Sequence, residues 1–166
     1  MKVNFVLQEG GQLPKQATPG SSAYDLYAGE DTVIPCEGTA RALVPLNFMM
    51  AFEPAYEAII SARSGLSAKG MEGIYLTCYD FLPREQHAMF ITRFKADVLE
   101  GKIDSDYRGI VHVIVENKSD QDFIILKGTR IAQMTFRRIE HPEFGVVESL
   151  DDTERSDGGF GHTGTR

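Results

Sequence analysis

Residues 101–109 carry the polar side chains best suited to chemistry. Two carboxylates, Asp104 and Asp106, lie with a tyrosine and an arginine between glycines, directly before the apolar run 110–115. A purely structural turn could use the same glycines and aspartates for local backbone hydrogen bonds. An ionised carboxylate can also orient and deprotonate a water molecule, which makes the segment a candidate for general-base catalysis. The spacing alone does not choose between the two aspartates.

Three other segments place polar groups beside apolar runs. Residues 63–65 are Arg-Ser-Gly and follow the apolar residues 58–60. Such a group can form an anion-binding nest at a strand end, although taken alone an ordinary capped turn or helix start is the more common interpretation. Gln133 is the polar exception in the apolar segment 130–134, and Asp25 is an acid among apolar neighbours, a setting typical of a turn or surface acid.

The C-terminal segment 153–166 differs in composition from the rest of the chain. It contains four glycines and a single aromatic, Phe160, which lies between Gly159 and Gly161. Such a segment costs entropy to order, so a flexible terminus is the ordinary interpretation. With Arg155 nearby, it could also fold over an anionic aromatic ligand, stacking a base on the ring and pairing phosphate with the arginine.

Composition predicts one soluble domain. The chain has 166 residues, a net charge of −7 and no run of more than two basic residues, which disfavours nonspecific binding to nucleic acid. A small polyphosphate remains possible because it needs only a few cations and backbone donors. Two cysteines without a CxxC pattern, and no apolar run long enough for a membrane span, predict a cytoplasmic protein that does not bind membranes.

The residue pattern predicts an all-β protein. Short β-type segments separated by Gly, Pro and Asp lie at 3–7, 32–34, 39–45, 58–61, 74–78, 110–117, 122–126, 130–137 and 146–148. Alternation along 110–117 predicts a strand with one buried face, and 127–129 predicts a turn. This pattern favours a barrel or sandwich, often with double-roll topology. Residues 83–95 permit either a weak helix or a strand.

Several common catalytic and cofactor motifs are absent from the sequence. There is no GxxxxGK[ST] phosphate loop, no GxGxxG pattern before a helix, and neither HExxH nor the zinc deaminase motif. The four histidines have no metal-ligand spacing. If the protein is an enzyme, we expect its chemistry to rely on carboxylate, arginine and a metal carried by the substrate.

Five segments in one order resemble the motifs of the trimeric dUTP pyrophosphatase (dUTPase) family, over nearly the whole chain. They are 22–27, 62–66, 97–109, 128–134 and 155–164. The resemblance implies a double-roll, jelly-roll-like β domain over 1–152 and a flexible arm, 153–166, that closes over the active site. It also implies a homotrimer with shared active sites. The implied reaction is Mg²⁺-assisted hydrolysis of dUTP to dUMP and pyrophosphate, which limits uracil incorporation into DNA and supplies dUMP for thymidylate synthesis.

The resemblance also implies individual roles. Asp104 matches the water-activating carboxylate, and Tyr107 matches the ring that packs under the deoxyribose and excludes a ribose 2′-hydroxyl. The hairpin residues implied to read the uracil are Gly101, Ile103 and His112. The residues implied to bind phosphate are Arg63, Ser64, Gly65 and Gln133. The residues implied to belong to the mobile arm are Arg155, Phe160 and Gly161. Asp25 matches an acid that reaches the metal through water, so no direct protein ligand is expected.

The chain departs from the family pattern in three places. Ala23 and Ser156 stand where glycine is usual, and we expect each to tighten a backbone turn modestly. Arg63 and Asp104 lie 41 positions apart, more than the usual gap. The excess falls at 77–95, and a loop of this length usually has a role or is disordered. This insertion could cover the site, extend the trimer contact, bind another protein or shift base recognition.

Two rival hypotheses follow from the sequence. A dCTP deaminase shares the fold and the segment around Asp104, but its catalytic glutamate aligns with Ile114, leaving Glu116 two positions out of register. That family also lacks the glycine-rich arm. The second rival is a dUTPase-derived regulatory protein that binds a partner through 77–95. Intact Asp104, Tyr107 and Arg155 argue against lost activity, but not against a second role.

Overall fold

The computed structural model describes residues 1–76 and 89–157, and nearly all its regular structure there is β. One six-residue helix, α1 (Ser64–Lys69), lies in this part of the chain. The strands are β1 (Asn4–Leu7), β2 (Lys15–Gln16), β3 (Tyr24–Tyr27), β4 (Thr32–Ile34), β5 (Arg41–Pro45), β6 (Phe48–Ala51), β7 (Tyr56–Ser61), β8 (Met71–Leu76), β9 (Met89–Phe94), β10 (Ala96–Leu99), β11 (Gly101–Ile103), β12 (His112–Asn117), β13 (Phe123–Ile125) and β14 (Arg130–Arg138). The all-β prediction is confirmed.

The described strands form four antiparallel sheets around one core. Their orders are β1-β6, β10-β12-β5, β11-β7-β14-β3-β2 and β4-β13-β8-β9. The five-stranded sheet is the one that positions the candidate site, because β3, β7, β11 and β14 all carry segments singled out above. Neighbouring strands that are distant in sequence bring those segments side by side.

Alternation along a strand predicted its buried face correctly. In β12, Val113 and Val115 are fully buried while His112, Ile114 and Glu116 are half-buried. Successive side chains of a strand point to opposite faces, so burial of one face appears as a period of two in sequence. The turn predicted at 127–129 is confirmed and contains Gly128 at φ 82°, a left-handed conformation that glycine adopts without steric cost.

The structure contradicts one sequence prediction and decides a second that the sequence left open. The strand predicted at 146–148 is wrong, because the described chain after β14, up to residue 157, contains no strand and Val146 is fully exposed. β-branched residues favour a strand only where a neighbouring strand or surface can pack them. The open segment 83–95 is a strand over Met89–Phe94, while 83–88 lie outside the described residues.

Strand β9 extends the core rather than standing apart from it. It pairs with β8 over six residues, and the Phe94 ring stacks on Phe123 with centroids 4.4 Å apart. Burial of an aromatic ring of this kind contributes about 1.5–3 kcal/mol. In the described part of the chain no helix is long and apolar enough to cross a membrane.

Candidate active site

Strand β7 delivers the Arg-Ser-Gly segment to the edge of the core. Its residues 57–60 are buried, and the chain turns directly from its end into α1. Arg63 precedes the helix in an extended conformation, and its carbonyl accepts hydrogen bonds from the N–H groups of Leu66 and Ser67, each 3.0 Å. The N–H groups of Ser64 and Gly65 have no intrahelical acceptor. They are therefore available to an anion.

Asp25 is a buried strand residue, so its interpretation as a turn or surface acid is wrong. It lies in β3 with 8% of its surface exposed. Its Oδ1 accepts a hydrogen bond from Arg63 Nε at 2.7 Å, and its Oδ2 accepts one from Arg130 Nη1 at 3.1 Å. A carboxylate can be buried at acceptable cost when it is paired and hydrogen-bonded in this way. The pair of arginines fixes the orientation of both carboxylate oxygens.

Strand register places three polar residues in one row across the sheet. Asp25 on β3 lies opposite Gln133 on β14, and Gln133 lies opposite Ser61 on β7. The Gln133 amide contacts the Ser61 hydroxyl at 3.4 Å. Gln133, the polar exception in the apolar segment 130–134, therefore lies next to Asp25 on the same face of the sheet.

These groups line a small cavity, which we call the anion pocket. Its volume is about 280 Å³, and its lining residues are Ala17, Ser21, Ser22, Ala23, Asp25, Arg63, Ser64, Gly65 and Gln133. It joins three segments far apart in sequence, and it combines a guanidinium, hydroxyls, an amide and free N–H groups. Such donors suit phosphate oxygens.

Asp104 begins a loop that its own side chains organise. The Tyr107 hydroxyl donates to the Ile110 carbonyl at 3.1 Å, and the His112 ring contacts the same carbonyl through Nδ1 at 2.8 Å. The Tyr107 ring lies against Gly109 so closely that a Cβ there would collide with it. Asp104 is exposed at the start of this loop, so solvent or a ligand can reach its carboxylate.

Within one chain, Asp104 and the anion pocket lie at opposite ends of β7. Ile103 on β11 pairs with Ala58, so Asp104 lies beside the beginning of β7, whereas Ser64 follows the end of that strand by three residues. At about 3.3 Å per residue, the stretch from Ala58 to Ser61 alone spans roughly 10 Å. The structure therefore brings together Asp25, residues 63–65 and Gln133, but not Asp104.

The arm is described only up to residue 157. Arg155 lies in an exposed turn, while Phe160 and Gly161 lie outside the described residues. Ser156 adopts φ 45°, and its N–H donates to the Thr153 carbonyl at 3.1 Å. Glycine adopts this left-handed conformation more easily, which gives a physical reason for the glycine expected at that position.

Arg130 is the functional candidate that sequence reasoning missed. It supplies the second guanidinium on Asp25, although its side chain is 51% exposed. A cation at the start of the largely apolar segment 130–134 was the signal that could have identified it. Glu116, the residue nearest to the deaminase glutamate, is instead engaged with Lys118 and Arg41, whose hydrogen bonds hold its pKa below the usual range.

Sequence comparisons identify relatives along the full chain. The family model described as dUTPase matches residues 9–98 and again 82–164, and the two matches overlap in a stretch that contains much of the predicted insertion. The deoxyuridine 5′-triphosphate nucleotidohydrolase of Finegoldia magna is 39% identical, with 99% of both chains covered. The protein of the same name from Fusobacterium nucleatum is 37% identical, with 99% of this chain and 97% of that protein covered.

Structural comparison agrees with the sequence. The dUTPase of Staphylococcus bacteriophage 80alpha, solved as a mutant with dUpNHpp, superposes with a TM-score of 0.75 at 19% identity and covers 98% of both chains. At that identity the likeness establishes the fold, and the predicted double-roll architecture is confirmed. Full-length sequence identity near 40% to a named relative and the match to the family model establish the family as well as the fold. The resemblance seen in the five motifs is therefore confirmed, and the chain belongs to the dUTPase family.

Proposed function

We propose that this chain hydrolyses dUTP to dUMP and pyrophosphate. The observation that carries the proposal is the anion pocket, in which β3, the start of α1 and β14 converge on donors suited to phosphate. The full-length relatives are named deoxyuridine 5′-triphosphate nucleotidohydrolases, and a structural relative was solved with the dUTP analogue dUpNHpp. The site and the family therefore point to the same reaction.

In this proposal the anion pocket binds the triphosphate. The N–H groups of Ser64 and Gly65 and the Gln133 amide donate to phosphate oxygens, while Arg63 supplies positive charge. Asp25 holds the Arg63 guanidinium in place through the 2.7 Å hydrogen bond. Because both of these groups are fixed before the substrate arrives, little reorganisation is needed to stabilise charge in the transition state.

In this proposal Mg²⁺ binds together with the phosphates of the substrate. Within the described residues no group of three His, Cys, Asp or Glu side chains is placed to hold a metal. Both Asp25 oxygens accept hydrogen bonds from arginines, yet each oxygen keeps lone-pair capacity for a metal-bound water. These residues fit a Mg²⁺ ion carried by the substrate and contacted by Asp25 through water. The ion would neutralise phosphate charge during the displacement.

We propose Asp104 as the base. Its carboxylate accepts a proton from water as the water oxygen bonds to the α-phosphorus, and the bond from that phosphorus to the bridging oxygen breaks, releasing pyrophosphate with the bonding electrons. Phosphoryl transfer depends mainly on positioning and charge neutralisation, so no covalent intermediate is needed. Tyr107 would pack under the deoxyribose, and the main chain near Gly101, Ile103 and His112 would read the uracil edge.

An active site shared between subunits would account for the separation of Asp104 from the anion pocket within one chain. We propose a homotrimer in which the Asp104 loop of one subunit completes the anion pocket of another. The segment after β14 supports this, because Phe144 is 94% exposed and Leu150 84% exposed in the single chain. Apolar side chains left uncovered along a segment without regular structure indicate burial against another protein surface. The arm would then place Arg155 on the terminal phosphate, and Phe160 with Gly161 over the uracil. We propose that the reaction takes place in the cytoplasm.

The first experiment measures pyrophosphate release from dUTP, dCTP, dTTP and UTP with Mg²⁺. Native protein should prefer dUTP, and Asp104→Asn should lose about 10²–10⁴ in kcat, the usual contribution of a general base. Asp106→Asn is the matched control, because it changes an exposed aspartate of the same loop. An equal loss in both variants would contradict the assignment of the base. Ammonia release from dCTP without pyrophosphate would instead indicate a deaminase.

The shared site has its own test. Asp104→Asn and Arg63→Gln proteins are each expected to be nearly inactive. Unfolding them together and refolding the mixture should recover about a quarter of native activity, because some sites combine an intact Asp104 from one subunit with an intact Arg63 from another. If the mixture stays as inactive as its parents, each site is built within a single chain.

A second candidate function is protein binding through the insertion at 77–95. The observation favouring it is that, among the described strands, β9 lies at the edge of its sheet, and its Ile91 is 68% exposed. A strand edge of this kind is a common site of strand addition. Because β9 also packs in the core, the informative deletion replaces only 77–88 with a short turn. Equal capture of proteins by the full chain and the shortened chain would refute this role.

A further inference from the structure

A second cavity borders the anion pocket at Arg63. We call it the basic cavity; its volume is about 580 Å³, and it is enclosed by α1, the beginning of β8, strand β9 and the turn before β14. Arg63 and Gly65 line both cavities. The volume falls within the range of small-molecule sites, roughly 300–1,000 Å³. It is therefore large enough for a ligand of its own.

The basic cavity has the opposite charge from the protein as a whole. Its charged lining residues are Arg63, Lys69, Arg93, Lys127, Arg130 and Glu72. Counting Asp25, which bridges two of these arginines, five cations meet two carboxylates and leave three positive charges. The whole chain carries −7. Such a local reversal attracts anions, because low-dielectric walls focus the field of the surrounding charges.

Contacts within the cavity leave part of this charge uncompensated. Arg93 is held by the Gly70 carbonyl at 3.0 Å and by Glu72 at 3.6 Å, so its guanidinium is already positioned. Lys69 and Lys127 are exposed and form no ion pair within the described residues. The Lys127 ammonium lies near Gly10. The unpaired lysines and the fixed guanidinium together make the lining suited to a multiply charged anion.

We propose that the basic cavity binds an oligophosphate, either a free inorganic chain or the phosphate chain of a nucleotide, independently of the anion pocket. Three uncompensated positive charges match a short phosphate chain better than a singly charged carboxylate. Three of the cations come from α1, β9 and the turn before β14, and none of these three is assigned to the proposed reaction. Arg63 lines both cavities and gives them a shared boundary.

The test is calorimetric titration of full-length protein with inorganic triphosphate in metal-free buffer. Native protein should bind triphosphate both with and without a saturating non-hydrolysable dUTP analogue. In Lys69→Gln/Lys127→Gln the affinity should fall by about tenfold or more for each lysine, because each charge-assisted hydrogen bond contributes that much. Lys2→Gln/Arg138→Gln removes the same charge elsewhere and should bind like the native protein.

Two results would overturn the inference. One is equal triphosphate affinity in the lysine variant and its control, and the other is complete displacement of triphosphate by the analogue. Failure of the analogue to bind when Mg²⁺ is added would count against the proposed reaction and leave the lysine comparison intact. A parallel titration with ATP identifies the source of the phosphate chain: binding with the same lysine dependence indicates a nucleotide, and binding of triphosphate alone indicates the free anion.

Discussion

Replacing Asp25 with asparagine tests whether the buried carboxylate organises the anion pocket. The asparagine oxygen can still accept the hydrogen bond from Arg63, but its amide then presents a donor to the Arg130 guanidinium. Hydrogen bonds to charged groups contribute about 1.5–3 kcal/mol each. Arg63 is 26% exposed and Arg130 51% exposed, so solvent screens the second bond more than the first. We expect the free energy of unfolding to fall by about 2 kcal/mol.

Urea unfolding measures this loss. With a slope near 2 kcal/mol per molar for a chain of this size, the transition midpoint should fall by about 1 M. Protein concentration is held constant, since the stability of an oligomer depends on it. Asp97→Asn is the matched control, because Asp97 is exposed on β10 and should change stability by less than about 0.5 kcal/mol. Equal unfolding free energies for the two variants would refute the reasoning.

Three further perturbations follow from other contacts. Lys118 and Arg41 lower the pKa of Glu116 in the folded state. The ionised Glu116 therefore stabilises the fold above its unfolded pKa, and this contribution is lost as the pH falls through its folded pKa. Glu116→Gln should flatten the acid side of a stability–pH profile. Asn117→Ala removes the hydrogen bonds that its buried amide donates to the carbonyls of Ile34 and Gln121, and should cost about 2–3 kcal/mol in urea unfolding. Tyr107→Ala should lower the ratio of kcat/KM for dUTP over UTP by about tenfold or more, measured by pyrophosphate release.

Each of these has a result that would contradict it. For Glu116, an unchanged difference between native and variant stability from pH 7 down to pH 3 would mean that the ion pairs do not act through its ionisation. For Asn117, the control is Ser119→Ala, which removes only one member of the network; equal losses would contradict the central role of the amide. For Tyr107, an unchanged preference would remove the ring from sugar selection.

Local features of the fold could be predicted from sequence because they are encoded locally. The period of two along β12 records which face is buried, and the glycine at 128 marks a turn that requires φ 82°. The short strand β3 was missed because four residues around Asp25 offer too little alternation to distinguish a strand from a turn. The strand predicted at 146–148 was wrong because propensity does not show whether a partner strand is present.

The sequence by itself determined the family, the all-β class and the residue types of the site, because motif order and short-range periodicity are properties of the chain. Only the tertiary structure decided that Asp25 is buried between guanidiniums 38 and 105 positions away. It also decided that Asp104 lies at the far end of β7 from the anion pocket. Both facts depend on strand register and sheet order, which arise from long-range pairing that no local pattern encodes.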